Sequence, residues 1–238
     1  PEYLSAIERL LTHVRGESLR FSAALASELP HGVCQQLLLD RLCNGDSTPG
    51  CSYVYQRLAP PYGVRHIEAI RKGLEGSSAS AATAAAELAA KFPVDGAIVS
   101  EYRTHFNQWK TKEKPYPKGG GTVPDSPRDE LVKILVQAYA YEHVFLLELL
   151  ADDRPNVRSV AREPFLTAAA ASQPLRTRMI EDVQSGSLEP AIFRAAVSAG
   201  LYQGEEAMLV ARLLQSSDTH IRYAALPILD AKGLPPEL

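Results

Sequence analysis

The 238-residue chain is poor in the residues that carry most recognisable chemistry: three cysteines, two methionines and one tryptophan. Three thiols make no even disulfide framework, which argues against a stapled secreted domain and for a reducing cytoplasm. No apolar run approaches the roughly 20 residues that a membrane-spanning helix requires, so no span is expected. The first residues lack the charged-then-apolar pattern of a signal peptide. The chain does not begin with methionine, so a removed leader stays open. Charge of one sign is scarce as well, with a net of −3. Residues 1–127 carry 14 basic against 13 acidic side chains, a net of +1, and residues 128–238 carry 11 against 15, a net of −4. Neither half is the basic body that phosphate neutralisation requires, which disfavours nucleic acid as a partner.

Catalytic signatures are missing too. There is no G-x-S-x-G, no H-E-x-x-H, no P-loop and no G-x-G-x-x-G. His13, His66, His105, His143 and His220 are scattered at spacings that dictate neither a triad nor a metal pair. Glu142-His143 and Glu205-Glu206 read as solvated helix positions. His31, Cys34, Cys43 and Cys51 follow H-x₂-C-x₈-C-x₇-C, without the paired spacing of a zinc knuckle. Cys34 reads as a small buried apolar group. Cys43 and Cys51 flank the loop NGDSTPG, where a bridge would form only in an oxidising compartment. No catalytic residue, metal or cofactor is expected, although active sites assemble from distant residues and an enzyme stays open.

What the chain has in quantity is helical pattern. Hydrophobic residues at 45% and charged residues at 22% are ordinary for a globular protein. Alanine runs such as AATAAAELAA (81–90) and TAAAAS (167–172) favour helix and let neighbouring helices approach closely. Apolar residues recur at helical spacing in Tyr3, Leu4, Ile7, Leu10, Leu11 and Val14, and again from Leu131 through Val144 to Leu150. The only strand candidate is SYVYQRL (52–58), cut off by Pro60-Pro61. Breakers at Pro30, Asn44 to Gly50, Pro60-Pro61, Pro93, Pro155, Pro174, Gly186 and Gly204 leave segments one helix long.

Two of those segments match each other. Leu149, Leu150, Val157, Arg158, Ala161 and Phe165 recur 64 residues later as Leu213, Leu214, Ile221, Arg222, Ala225 and Leu229. Leu11, Leu19, Arg20 and Ala23 keep the spacing; Leu74, Ala82 and Ala86 keep it without the arginine. The matched positions are apolar apart from one arginine, which is the signature of packing rather than of a duplicated active site. Asp152-Asp153 and Ser217-Asp218-Thr219 stand where side-chain oxygens can cap a second helix.

Residues Asp152–Phe165 and Asp218–Leu229 resemble the turn and second helix of the HEAT repeat family in its short bacterial form. The resemblance covers most of 128–238 and loosens over 1–110. It implies an all-α fold, an α-solenoid of stacked antiparallel helix pairs whose concave side commonly binds another protein. The expected organisation is degenerate helical repeats over 1–109, a flexible loop over 110–128 and HEAT-like repeats over 129–238. The implied function is a non-enzymatic scaffold or adaptor, such as a bacterial regulatory or toxin-neutralising immunity protein. Alternatives of the same architecture are a DNA glycosylase acting on alkylated DNA and a bilin lyase. The glycosylase would need a strongly positive face with an aromatic cluster beside an acidic residue, and the even charge speaks against it. No single short motif marks the lyase.

Arg20, Arg158 and Arg222 admit two readings. As packing residues, Arg158 and Arg222 would pair with a turn carboxylate of an adjoining repeat, supplied by Asp152, Asp153 or Asp218. As functional residues they would line a groove. The packing reading is preferred, because stacked repeats depend on neighbour contacts.

Lys110 to Arg128, KTKEKPYPKGGGTVPDSPR, interrupts the helical pattern with four prolines, three consecutive glycines, four lysines and no apolar face. Trp109, Lys110, Lys112, Lys114, Tyr116 and Lys118 form a candidate clamp for an acidic partner surface, against the simpler reading of a solvated insertion. Limited proteolysis is expected to cut first between Lys110 and Arg128. Early cutting at Asp152 or Asp218, with that segment protected, would mean that the repeat boundaries are misplaced.

Overall fold

The computed structural model describes residues 2–93, 95–113, 124–201, 213–219, 221–223 and 226. Among them every regular element is an α-helix and there is no strand. The chain divides into two compact units, Pro1–Ala138 and Tyr139–Leu238. The division falls after the Lys110–Arg128 segment rather than at it.

The first unit contains α1 (Glu2–His13), α2 (Ser18–Ala26), α3 (His31–Asn44), α4 (Cys51–Tyr55), α5 (Val64–Glu75), α6 (Ala79–Ala89), α7 (Gly96–Lys112) and α8 (Pro127–Ala138). Its centre is the alanine helix α6, which packs against α4, α5 and α8. Ala81, Ala82, Ala84, Ala85, Ala86 and Ala89 are all buried. Side chains this small present no preferred face, so the helix is enclosed by neighbours instead of lying across one core. Ser78 starts it, its hydroxyl accepting from the Ala81 N–H at 3.3 Å.

Close approach is matched on the facing helix. A Cβ added to Gly73 of α5 would lie 2.6 Å from Ala85 Cβ and 2.4 Å from the Tyr55 hydroxyl. Tyr55 donates that hydroxyl to the Ala69 carbonyl oxygen of α5, and burial pushes its pKa up. The stretch 52–58 is therefore not a strand. Residues 51–55 are helical, because Cys51, Val54 and Tyr55 are all buried, and tertiary packing overrides the β preference of Val and Tyr.

The remaining expectations for this unit are met unevenly. Of the apolar set in α1, Ile7 and Leu11 are buried, while Tyr3, Leu4 and Leu10 are exposed. The Lys110–Arg128 segment is helical at both ends. Lys110 and Lys112 lie on α7, and Arg128 is a buried residue of α8, 1% exposed. Arg128 pairs with Glu113 at 3.3 Å and stands over the Phe106 ring at 5.3 Å. The Ser126 hydroxyl donates to Glu113 and accepts from the Arg128 N–H, so the two flanks are tied to one another.

The second unit contains α9 (His143–Leu150), α10 (Pro155–Ala171), α11 (Gln173–Gln184) and α12 (Pro190–Ser198), with further helical residues at 213–214 and 221–223. Helix α9 packs on α10, α10 on α11 and α11 on α12. Its core is Phe145, Leu146, Leu149, Leu150, Val157, Ala161, Phe165, Met179, Ile180, Val183, Ile192 and Phe193, with Leu213 and Ile221 buried from the repeated stretch.

Gly73→Ala is expected to destabilise the first unit by about 1–3 kcal/mol, because the extra methyl has no room against Tyr55 and Ala85. Thermal denaturation of the purified variant measures it; an unchanged melting temperature would show that the α5–α6 approach is looser than this.

Candidate functional site

The repeated arginines hold the turns through main-chain oxygens. Arg158 Nη1 donates to the carbonyl oxygens of Asp152 and Asp153, at 2.7 and 2.9 Å. Arg222 Nη1 donates to those of Ser216 and Ser217, at 2.6 and 3.0 Å. Each side chain thus reaches back six and five residues onto the turn that closes the preceding helix. The expected partner was a carboxylate of an adjoining repeat. For Nη1 the acceptors are turn carbonyl oxygens, two of which it serves at once; a carboxylate that Arg158 meets, through Nη2, is that of Glu189.

The second Arg158 nitrogen pairs with Glu189 at 3.0 Å, one connection further along the chain. Arg222 Nη2 instead donates to the Thr219 hydroxyl at 3.0 Å. Arg20 does not share this arrangement: it is exposed and lies over the Tyr53 ring at 5.8 Å. Asp152, 2% exposed, accepts from the Arg154 N–H at 3.0 Å and so shapes the turn before α10. Asp218 is exposed, its N–H donating to the Ser216 hydroxyl at 3.2 Å.

Trp109, grouped by sequence with the candidate lysine clamp, is enclosed. That indole is 3% exposed and donates its N–H to the Leu74 carbonyl oxygen at 2.8 Å, making it a core residue that closes the end of α5. Lys112 lies over the indole ring at 5.0 Å and donates to the Glu75 carbonyl oxygen at 3.3 Å. Lys110 is exposed on α7. Lys114, Tyr116 and Lys118 lie outside the described residues.

The cysteines are free thiols, Cys34 and Cys51 buried and Cys43 half-buried. Burial raises the pKa of Cys34 and Cys43, which disfavours the reactive thiolate. Among the described residues no three His, Cys, Asp or Glu side chains gather as a metal set. His66 and His105 are buried, and burial lowers both from the ordinary histidine value.

A groove of about 470 Å³ in the second unit has a shape suited to recognition. Val144, Leu147, Glu148 and Ala151 form one stripe of α9, at i, i+3, i+4 and i+7. Arg178 and Asp182 of α11 make the opposite rim and are paired at 3.1 Å. Leu188 supplies apolar floor from the connection to α12. Gly186 puts it there: its φ of +78° reverses the chain after α11, and the Leu188 N–H then donates to the Asp182 carbonyl oxygen at 3.0 Å.

Val144, grouped by spacing with the core, is 72% exposed here, and Tyr141 nearby in sequence is 94% exposed. A signal for this was present. His143–Leu150 reads HVFLLELL, six apolar residues in eight, which is more than the core-facing side of one helix can bury. Glu148, Arg178 and Asp182 carried no such signal, since i, i+4 charge pairs are common on exposed helices.

Comparison with protein-family models, curated proteins and solved structures finds no match for the chain.

Arg222→Ala and Arg158→Ala are each expected to destabilise by about 1–3 kcal/mol through the carbonyls left unpaired, and to lower the melting temperature. Unchanged melting in both variants would remove these arginines from the set that supports the fold.

Proposed function

We propose that the protein is a non-enzymatic, HEAT-like helical-repeat scaffold or adaptor that binds another protein. In this reading the α9–α11 groove is its principal contact surface. The groove carries the proposal: an apolar floor of Val144, Leu147, Ala151 and Leu188 is bordered by Glu148, Arg178 and Asp182. A protein interface has that composition, an apolar centre that excludes water and a charged rim that orients the partner. A groove this open gives little enclosure to a small molecule, whose binding depends on burial of most of its surface.

Two further observations support the repeat architecture. The helices of the second unit pack on their neighbours in sequence, as stacked pairs do. The arginine-to-turn arrangement recurs at Arg158 and Arg222 with the same six- and five-residue reach. The glycosylase alternative loses its one tryptophan, since Trp109 is enclosed in the first unit. Within the scaffold class, a regulatory role and toxin neutralisation both require a tight protein partner and share this surface.

The experiment is cross-linking in the source cells, identification of the attached protein, and binding of the two purified components. Val144→Lys is expected to weaken that complex at least tenfold, about 1.4 kcal/mol, while leaving the melting temperature unchanged. Undiminished binding would remove the groove from the interface. Release of alkylated bases from DNA by the purified protein would overturn the scaffold reading itself.

A further inference from the structure

We propose that the α9–α11 groove takes one amphipathic helix of a partner protein, and that this helix carries a lysine or arginine within its apolar stripe, set against Glu148. The proposal rests on the reading of that groove as a protein-contact surface and names the chemistry of what it holds.

The apolar wall of the groove is one helical row. Val144, Leu147 and Ala151 follow one another at i, i+3 and i+7 on α9, and Leu188 adds floor. Seven steps at a rise of 1.5 Å span about 10 Å, or two turns of a facing helix. Two turns present apolar anchors at i, i+3 or i+4, and i+7.

Other ways of holding a peptide are not built here. An extended peptide pairs with a sheet edge, and there is no strand among the described residues. Without an edge, its main-chain N–H and C=O groups would enter an apolar groove unpaired. A polyproline segment needs aromatic walls, and the described residues lining this groove include no aromatic ring. A phosphorylated or acidic motif needs several arginines, whereas the lining has Arg178, already held by Asp182 at 3.1 Å. A helix arrives with its main-chain bonds complete and asks only for an apolar furrow.

Charge then decides the composition of that helix. Arg178 Nε donates to Asp182 Oδ2 at 3.2 Å and lies 3.1 Å from Oδ1, so the two answer each other across one turn of α11. Glu148 is exposed, four residues after Val144 and three before Ala151, and no basic side chain among the described residues pairs with it. The uncompensated charge of the groove is thus one carboxylate set among aliphatic groups. A wholly apolar partner would press that carboxylate out of water, and an acidic one would face like charge. A lysine or arginine lays its methylene stem along the apolar row and brings its charge to Glu148. The wider field favours the same partner: residues 139–238 carry 9 basic against 13 acidic side chains, a net of −4.

The test is selection against the full chain from a displayed library of random peptides about 16 residues long, enough for four helical turns. Enriched sequences are synthesised and titrated by fluorescence anisotropy. They are expected to share apolar residues at i, i+3 or i+4, and i+7 with a lysine or arginine in the same stripe, and to gain helical circular dichroism on binding. Val144→Lys weakens them at least about tenfold, with the melting temperature unchanged. Glu148→Lys weakens them about tenfold, and changing the peptide's basic residue to glutamate restores binding to Glu148→Lys while weakening it to the unaltered chain. A structural disturbance would not give that exchange. Peptides that need Val144 but are acidic, proline-rich or non-helical, or that bind Glu148→Lys undiminished, overturn the proposal and leave the groove a protein-contact surface. An empty selection, or peptides indifferent to Val144→Lys, overturns it as well, and the cross-linked partner then decides the scaffold reading separately.

Discussion

Short helices have many ends, and every end leaves carbonyl oxygens that no N–H of the same helix can reach. That constraint organises this structure. Its helices run from 5 residues in α4 to 17 in α7 and α10, and basic or aromatic side chains are spent on closing them. Arg15 caps Thr12 and Val14 after α1, Arg158 the turn after α9, and Arg176 Ala169 and Ala170 at the end of α10. Arg222 does the same for Ser216 and Ser217. Trp109 and Lys112 close the end of α5 on Leu74 and Glu75. Many of the cations that a sequence reader would assign to a binding face are in this way engaged with the main chain. Arg41 is the departure: it meets one carbonyl, and its Nε and Nη2 are buried without a hydrogen-bond partner.

The two units bury their helices by different means. In the first, α6 is nearly all alanine, so neighbours close in on several sides and Gly73 makes room for one of them. In the second, α9 carries more large apolar residues than its core-facing side accepts. Phe145, Leu146, Leu149 and Leu150 go inward, and Val144 and Leu147 are left to form a groove. The same imbalance that makes α9 a good packing helix leaves it with an unfilled apolar stripe.

The all-helical character was legible because apolar spacing and regularly placed Pro and Gly punctuation are local signals. The recurrence around Arg158 and Arg222 was legible for the same reason, whereas the turn expected for each was that of an adjoining repeat and the turn each reaches lies five and six residues before it. Their acceptors were not, because main-chain oxygens exist at every position and leave no mark in a sequence. Trp109 followed by two lysines in four residues reads as an exposed clamp, yet its ring is enclosed by α5, a contact 35 residues distant in the chain. Arg128 at the edge of a Pro- and Gly-rich run likewise reads as solvated, until Glu113 is brought to it across the segment. Arg41 in QQLLLDRL has the look of an ordinary outward-facing helix residue. Only the arrival of Gly45 and α1 makes it interior. Side-chain identity announced the helices, and distant partners decided what each charged group meets.

The arginine contacts have an evolutionary corollary. Arg158 and Arg222 hold their turns by main-chain oxygens, which any residue type provides, so this contact imposes no demand on the side chain of an exposed turn residue such as Ser217. Such a position is free to drift while the arginine and the small residues behind it stay fixed. A family built on this device would diversify its turns far faster than its helices, and could acquire new specificities at those turns without renegotiating the core.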